Sequence, residues 1–189
     1  MAAPAHHDPT IDQILEVHDH FDPPGGLRAE VLEGRIVLSP TWTGRHALIY
    51  ARLSRQIDRL LPADMDSVNN ITLHMAATNE RYVPDLVVMA LDKLDSDDWL
   101  CHAEDARLVA EIVASSSARD DRVVKVRGYA ASGVPIYLLV DPLDNTVTLF
   151  TSPAGESYRQ AHRLSFGAML SLPQPFAGEI DTSEFSPRR

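Results

Sequence analysis

One stretch near the middle of the chain constrains the fold most, because it reads as strand, helix and strand in immediate succession. Residues 108–113 form a nearly continuous apolar run, as expected of a strand buried on both faces. Ser117 followed by Asp120 resembles a capping box, and Gly133 fits the C-terminal cap of the helix that follows. Residues 135–140 then predict a second strand. This succession predicts a parallel strand pair with a right-handed crossover, and therefore an α/β fold.

Further helices and strands are predicted around this unit. We predict helices over residues 11–17 and 45–61, a hairpin over residues 29–38, and strands over residues 70–75, 81–90 and 146–150. Together they predict a mixed β-sheet flanked by helices, in a single domain over residues 1–189. Residues 1–9 are expected to form a flexible tail, and residues 151–189 to wrap around the core with little regular structure.

Composition and charge restrict the function. The chain has 189 residues, a formal net charge of −10 and one cysteine, Cys101, which excludes an internal disulfide. It shows neither a secretory leader nor an apolar run of the roughly 20 residues that a membrane span needs, which predicts a cytoplasmic protein. The negative charge argues against indiscriminate binding of polyanions. His6 and His7 could form a metal site, but such a pair is more typical of an inert tail.

Two apolar strands each carry one embedded carboxylate. Glu111 interrupts the apolar run of residues 108–113, and Asp85 interrupts that of residues 83–88. An ionised carboxylate in a buried strand is costly unless something pairs with it. A Mg²⁺ ion is one such partner, since it binds one or two carboxylates and keeps several waters. The alternative is that each acid lies at a strand end and pairs with an arginine.

Lys125 is the cation that could return to these acids. A helix that begins after Ser117 runs back along the strand, and eight residues at 1.5 Å each carry Lys125 about 12 Å toward the level of Glu111. Asp121, Lys125 and Tyr129 recur at intervals of four, so they share one helix face. The alternative is an exposed Asp121–Lys125 ion pair on a solvated face.

The order and spacing of several short motifs resemble one protein family, the Uma-type restriction endonucleases of the PD-(D/E)XK nuclease superfamily. The resemblance covers roughly residues 10–185. Its motifs are Glu30-Val31-Leu32-Glu33-Gly34, Ser39-Pro40, His46, Val83-Pro84-Asp85-Leu86-Val87-Val88, Val109-Ala110-Glu111-Ile112-Val113, Asp121-Arg122-Val123-Val124-Lys125, Tyr129, Gly133-Val134-Pro135-Ile136-Tyr137, Asp141-Pro142, Leu172-Pro173 and Pro175-Phe176.

The resemblance implies a restriction-endonuclease-like fold and a set of site residues. Asp85 and Glu111 would be metal ligands for Mg²⁺ or Mn²⁺, Glu30 an auxiliary acid and Lys125 the catalytic lysine. Val113 stands where the superfamily pattern Glu-x-Lys has its lysine, and the family is similar in placing that lysine on the following helix. The run of residues 114–117 differs from the family's serine-proline-serine-threonine turn.

The resulting prediction is a metal-dependent endonuclease that hydrolyses phosphodiester bonds of DNA. The alternative is a non-catalytic binding or assembly module that retains the fold, and a hydrolase of small phosphoesters is also open. A homodimer is left open, and no membrane partner is expected.

No Walker A, Gly-x-Gly-x-x-Gly or Gly-x-Ser-x-Gly motif is present, and a single cysteine excludes a zinc ribbon. Arginines 45, 52, 55 and 59 could guide a DNA backbone or form a solvated helix face.

Overall fold

The computed structural model describes residues 9–176 and 178–187. His6, His7 and almost all of the predicted N-terminal tail lie outside these described residues. Within them, no helix has both the length and the apolar character that crossing a bilayer requires.

The described residues form thirteen strands. They are β1 (Arg28–Leu32), β2 (Arg35–Ser39), β3 (Met65–Val68), β4 (Thr72–Met75), β5 (Glu80–Tyr82), β6 (Leu86–Ala90), β7 (Leu100–His102), β8 (Leu108–Ile112), β9 (Ile136–Asp141), β10 (Thr146–Ala154), β11 (Ser157–Ser165), β12 (Met169–Ser171) and β13 (Glu179–Asp181). Six of them form the central sheet in the order β11-β10-β9-β8-β6-β3, and five form a second sheet in the order β2-β1-β5-β4-β7. Strands β12 and β13 pair with each other.

The helices lie between these strands. They are α1 (Ile11–Asp19), α2 (Gly44–Asp58), α3 (Leu91–Leu94) and α4 (Lys125–Ala131), together with a π-helical turn over Asp120–Val124 and short 3₁₀ turns over Pro24–Gly26, Ala103–Asp105 and Thr182–Phe185. The side chain of Thr10 accepts a hydrogen bond from the backbone N–H of Gln13 and so caps the N-terminus of α1.

The predicted parallel crossover is confirmed: β8 and β9 pair in parallel, while β6 joins β8 antiparallel, which makes the central sheet mixed. The predicted capping box at the start of the crossover helix is wrong. The Ser117 hydroxyl accepts a bond from the N–H of Ala114 and donates to Asp121 rather than pairing with Asp120. The helix then opens with the π turn, a form that often occurs at functional sites.

The single strand predicted over residues 81–90 is wrong, because the chain changes sheet there. Strand β5 belongs to the five-stranded sheet and β6 to the central sheet, and residues 83–85 connect them. Pro84 lies in this connection, where its missing N–H costs no ladder hydrogen bond. Asp85 is therefore just outside β6, at the junction of the two sheets.

The prediction of little regular structure after residue 150 is also wrong. Strand β10 continues to Ala154, and β11 pairs with it from Ser157 to Ser165. Strand β11 is an edge strand with mostly exposed polar side chains, so it lacks the apolar alternation that identifies a half-buried strand. The chain beyond it lies against α2, where the side-chain amide of Gln56 bonds both the N–H and the carbonyl of Asp181.

Two apolar cores lie on opposite faces of the central sheet. On β8, Leu108, Ala110 and Ile112 join the core shared with α2, and Val109 joins the core shared with the second sheet and α4. Side chains alternate along a strand, so Glu111 points to the same side as Val109. The alternation therefore directs its carboxylate toward the crossover helix.

Candidate functional site

A cavity of about 270 Å³ opens where the junction of the two sheets meets the first turn of α2 and the serine turn after β8. Asp85, Glu111, Lys125 and Glu30 all line it. The structure thus brings together the four residues singled out in the sequence, from four separate segments of the chain.

Asp85 is 2 % exposed and is held on both oxygens. Its Oδ2 accepts a hydrogen bond of 2.8 Å from the backbone N–H of Ile112 and lies 3.0 Å from Nε2 of His46, although the ring nitrogen is not aligned for a hydrogen bond. Its Oδ1 lies 3.4 Å from a guanidinium nitrogen of Arg28. Burial alone would raise the pKa of Asp85, but His46, the Ile112 N–H and Arg28 outweigh it and hold the pKa below its usual value.

Glu111 is 3 % exposed, and one of its oxygens carries both of its hydrogen bonds. Oε1 accepts from Nζ of Lys125 and from the hydroxyl of Tyr129, each at 2.8 Å. Burial raises the pKa of Glu111 well above its usual value; the Lys125 ammonium opposes this shift, and the nearby Asp85 charge adds to it.

Lys125 lies among three carboxylates. Its Nζ is 2.8 Å from Glu111, 2.9 Å from Glu30 and 3.6 Å from Asp121. The prediction that Lys125 returns to the level of Glu111 is confirmed, and the alternative of a solvated ion pair is wrong because Lys125 is only 3 % exposed. Burial would lower the pKa of Lys125, but the three acids outweigh it and raise that pKa well above its usual value, so the side chain stays charged.

Glu30, for which the resemblance implies an auxiliary role, reaches this cluster, whereas the nearby Glu33 does not. Strand β1 buries Glu30, whose Oε1 accepts a hydrogen bond of 2.8 Å from the backbone N–H of Val83 in addition to the contact with Lys125. Glu33 lies in the exposed β1–β2 turn, where it pairs with Arg119 and Arg35. The two acids therefore have different environments because Glu30 lies within β1, whereas Glu33 lies in the turn that follows it, with a φ of +48°.

Asp121 is the site residue to which the sequence analysis gave no role at the site. It lies in the π turn, is 2 % exposed, and accepts a hydrogen bond of 2.5 Å from the Ser117 hydroxyl. Burial raises its pKa to about 6, although Lys125 and Ser117 act in the opposite direction. The signal in the sequence was its four-residue spacing from Lys125, which predicted a shared face but not burial.

We expect the Asp121→Asn variant to lose part of the pH dependence of stability. The carboxyl prefers its neutral form in the folded state, so its stabilisation is complete below the ordinary value of 3.8 and is lost as the pH rises through about 6. The asparagine stays neutral at every pH. Between pH 4 and 7 the free energy of unfolding of the variant should therefore fall by about 1–3 kcal/mol less than that of the wild type. Urea unfolding at several pH values measures this; parallel pH profiles for the two proteins would contradict the burial effect.

The arginine partners predicted in the alternative to a metal are present for one acid only. Arg28 pairs with Asp85, whereas the cation beside Glu111 is Lys125. Of the α2 arginines, Arg52 is buried and donates to the backbone carbonyl of Glu184, so it anchors the C-terminal segment. Arg55 and Arg59 line a separate cavity beside that segment.

Two carboxylate oxygens of the cavity remain available to a hard divalent cation that needs few protein ligands. Among the described residues, Oε2 of Glu111 receives no hydrogen bond, and Oδ1 of Asp85 receives only the long one from Arg28. In the same part of the chain no three His, Cys, Asp or Glu side chains are arranged to hold a metal ion. Mg²⁺ does not need three, because it binds through one or two carboxylates and keeps water on its other positions.

Comparison with known families gives one match that spans most of the chain. The model of the family Uma2, described as "Putative restriction endonuclease", matches residues 14–183. The matched range contains every residue that lines the cavity. No curated protein matches the sequence.

Among solved structures, the crystal structure of a protein from Anabaena variabilis, titled a putative nuclease belonging to DUF820, superposes with a TM-score of 0.72. The two sequences are 16 % identical, and the superposition covers 95 % of this chain and all of the other. At that identity the likeness concerns the fold, which is a mixed α/β arrangement flanked by helices.

Proposed function

Because the chain belongs to the Uma2 family, we propose that it is a metal-dependent endonuclease that hydrolyses phosphodiester bonds of DNA. The observation that supports this most is the convergence of Asp85 and Glu111 with Lys125 in one cavity. A purely structural ion-pair cluster has no need of a cavity at its side, whereas a hydrolytic site needs space for a phosphate and a water.

Asp85 and Glu111 would hold Mg²⁺ or Mn²⁺ through the oxygens that the protein leaves free or weakly bonded. The bound ion supplies polarisation of a phosphate oxygen and lowers the pKa of a bound water. The Ile112 N–H and His46 orient the Asp85 carboxylate, and Lys125 and Tyr129 orient that of Glu111. Such fixed carboxylates need little reorganisation when the ion binds.

Lys125 would act as a charged hydrogen-bond donor rather than as a base. Its three acidic neighbours raise its pKa, so it does not give up a proton near neutral pH. Preorganised cations stabilise the negative charge that builds up on a phosphate during hydrolysis. Lys125 would supply that stabilisation, or orient the attacking water, from its position beside Glu111.

The negative charge of the chain makes the metal important for substrate binding as well. A protein of net charge −10 repels DNA, and the buried carboxylates add to this repulsion near the site. A bound divalent cation dominates the field close to it and reverses the local sign. We therefore expect DNA binding to be poor without metal and to weaken further with salt.

The test is nicking of supercoiled plasmid by the purified protein. We expect slow conversion to the open-circular form with Mg²⁺ or Mn²⁺ and none with excess chelator. The expected dependence on metal follows because Lys125 stays protonated and therefore cannot be the base that activates a water molecule. If the folded protein binds metal but cuts no form of DNA with either ion, the proposal fails in favour of a non-catalytic module that retains the fold.

A further inference from the structure

Beside the carboxylates, the surface continues into a groove lined by aromatic and amide side chains. The carboxylate cavity adjoins a second cavity of about 330 Å³, because Arg28, Thr41 and Trp42 line both. That one adjoins a third of about 290 Å³, because Arg28 and Asn70 line both. Each has about the size of a small-ligand site. We call the second and third cavities together the aromatic groove.

The chemistry of the aromatic groove suits a flat, polar-edged ring. Its walls carry the side chains of Phe21, Arg28, Trp42, Asn69, Asn70 and Trp99. Trp99 is 54 % exposed and Phe21 38 % exposed, although large aromatic side chains are usually covered. Asn69 and Asn70 add amide donors and acceptors, and an asparagine can pair with the edge of a base.

Arg28 connects the groove to the carboxylates. Its guanidinium lies 5.6 Å from the ring centre of Trp42, a cation–π distance, and 3.4 Å from Oδ1 of Asp85. The other neighbours of the Trp42 ring are His46 and Tyr50, each with ring centres 4.9 Å away. Trp42 is thus fixed as a wall between the two cavities, and the groove begins immediately beside Asp85.

We propose that the aromatic groove binds an unpaired nucleobase of single-stranded DNA next to the phosphate held at the carboxylates. The inference rests on the proposed function, because it names the substrate form of the same site. Aromatic side chains stack with exposed bases whatever their sequence, and amides hydrogen-bond their edges. In a duplex both faces of a base are stacked and its edge is paired, so a base can reach such a groove only from a single strand or after being flipped out.

The two tryptophans of the chain, Trp42 and Trp99, both line this groove, so intrinsic fluorescence reports its occupation directly. The probes are an oligodeoxythymidylate, an abasic phosphodiester strand of equal length, and the corresponding duplex, each titrated in low salt with Ca²⁺ to neutralise the carboxylates. We expect quenching by the oligodeoxythymidylate, with affinity about 10-fold higher than for the abasic strand, and weaker binding of the duplex.

The variants are chosen to keep the backbone unchanged. Asn70 has a φ of +57°, which glycine adopts readily, so Asn70→Gly removes the amide without straining the turn. Asn145→Gly is the matched control, since Asn145 has a φ of +53° in the β9–β10 turn, outside the groove. We expect Trp99→Ala and Asn70→Gly to reduce affinity for the oligodeoxythymidylate several-fold, Trp99→Phe to restore most of the loss, and Asn145→Gly to have no effect.

Equal affinity for the abasic strand and the oligodeoxythymidylate would overturn the proposal, and so would preferred binding of the duplex. These results are independent of cleavage. Base-dependent quenching without plasmid nicking would leave the groove assignment standing and refute the endonuclease, whereas nicking without base-dependent quenching would do the reverse.

Discussion

The Asp85→Asn substitution is expected to lower the rate of metal-dependent nicking by about 10³-fold. Asparagine has the shape of aspartate and keeps an oxygen that can accept the hydrogen bond from the Ile112 N–H, so the junction of the two sheets should be preserved. What it loses is the negative charge that would attract the divalent ion. Burial alone would favour the neutral form of Asp85, and the neighbours of this carboxyl keep it ionised by lowering its pKa. The measurement is the initial rate of plasmid nicking at saturating Mg²⁺ and Mn²⁺.

The matched control is Asp92→Asn. Asp92 is exposed on α3, away from the cavity. Its substitution by asparagine also replaces one carboxylate with an amide. We expect wild-type rates in this variant and unchanged circular dichroism in both. If the nicking rate of Asp85→Asn lies within a few-fold of the wild-type rate, Asp85 is not a metal ligand and the proposed metal site is refuted.

The Lys125→Met substitution is expected to lower the free energy of unfolding by about 3–5 kcal/mol, because it leaves buried acids without their cation. Methionine keeps the length and the apolar stem of the side chain, so the loss is chiefly electrostatic. Glu111, Glu30 and Asp121 would then have to bind protons in order to stay buried. A loss of this size is a large part of the stability of an ordinary domain, which is about 5–15 kcal/mol.

The chain offers a direct control, because its only other lysine is Lys93. Lys93 forms an exposed ion pair with Asp105, and solvent screens such a pair, so Lys93→Met should leave stability almost unchanged. The loss in Lys125→Met should shrink toward pH 4, where the remaining carboxyls become neutral. Urea unfolding at pH 4 and 7 measures both effects. Equal losses of stability in the two lysine variants would show that the buried cluster around Lys125 stabilises the fold no more than an exposed ion pair does.

Local patterns in the sequence were enough to predict the elements that lie in the middle of the fold. The strands β8 and β9 are fully buried, so each forms a nearly continuous apolar run, and with a helix between them the parallel crossover could be predicted directly. The same physics explains why β3 and β11 escaped prediction. They are edge strands of the central sheet with polar, half-exposed side chains, and they are stabilised by their neighbours more than by their own composition.

Site residues were predictable where their chemistry conflicted with their surroundings. An acid in an apolar strand is an anomaly visible in one dimension, and this pointed to Asp85 and Glu111. Asp121 and His46 show no such conflict, since acids and histidines are ordinary in helices. Only contact with the other segments makes them notable, through burial beside Lys125 and through the approach to Asp85.

The sequence by itself determined the α/β class, the crossover and the two embedded carboxylates, because backbone periodicity and the cost of burying charge act over a few neighbouring residues. Only the tertiary structure decided which groups meet. It places Glu30 beside Lys125, with a hydrogen bond from the distant N–H of Val83, and it makes Arg52 an anchor for the C-terminal segment. Such contacts join residues more than fifty positions apart, and their geometry depends on how two sheets and a helix pack rather than on any local pattern.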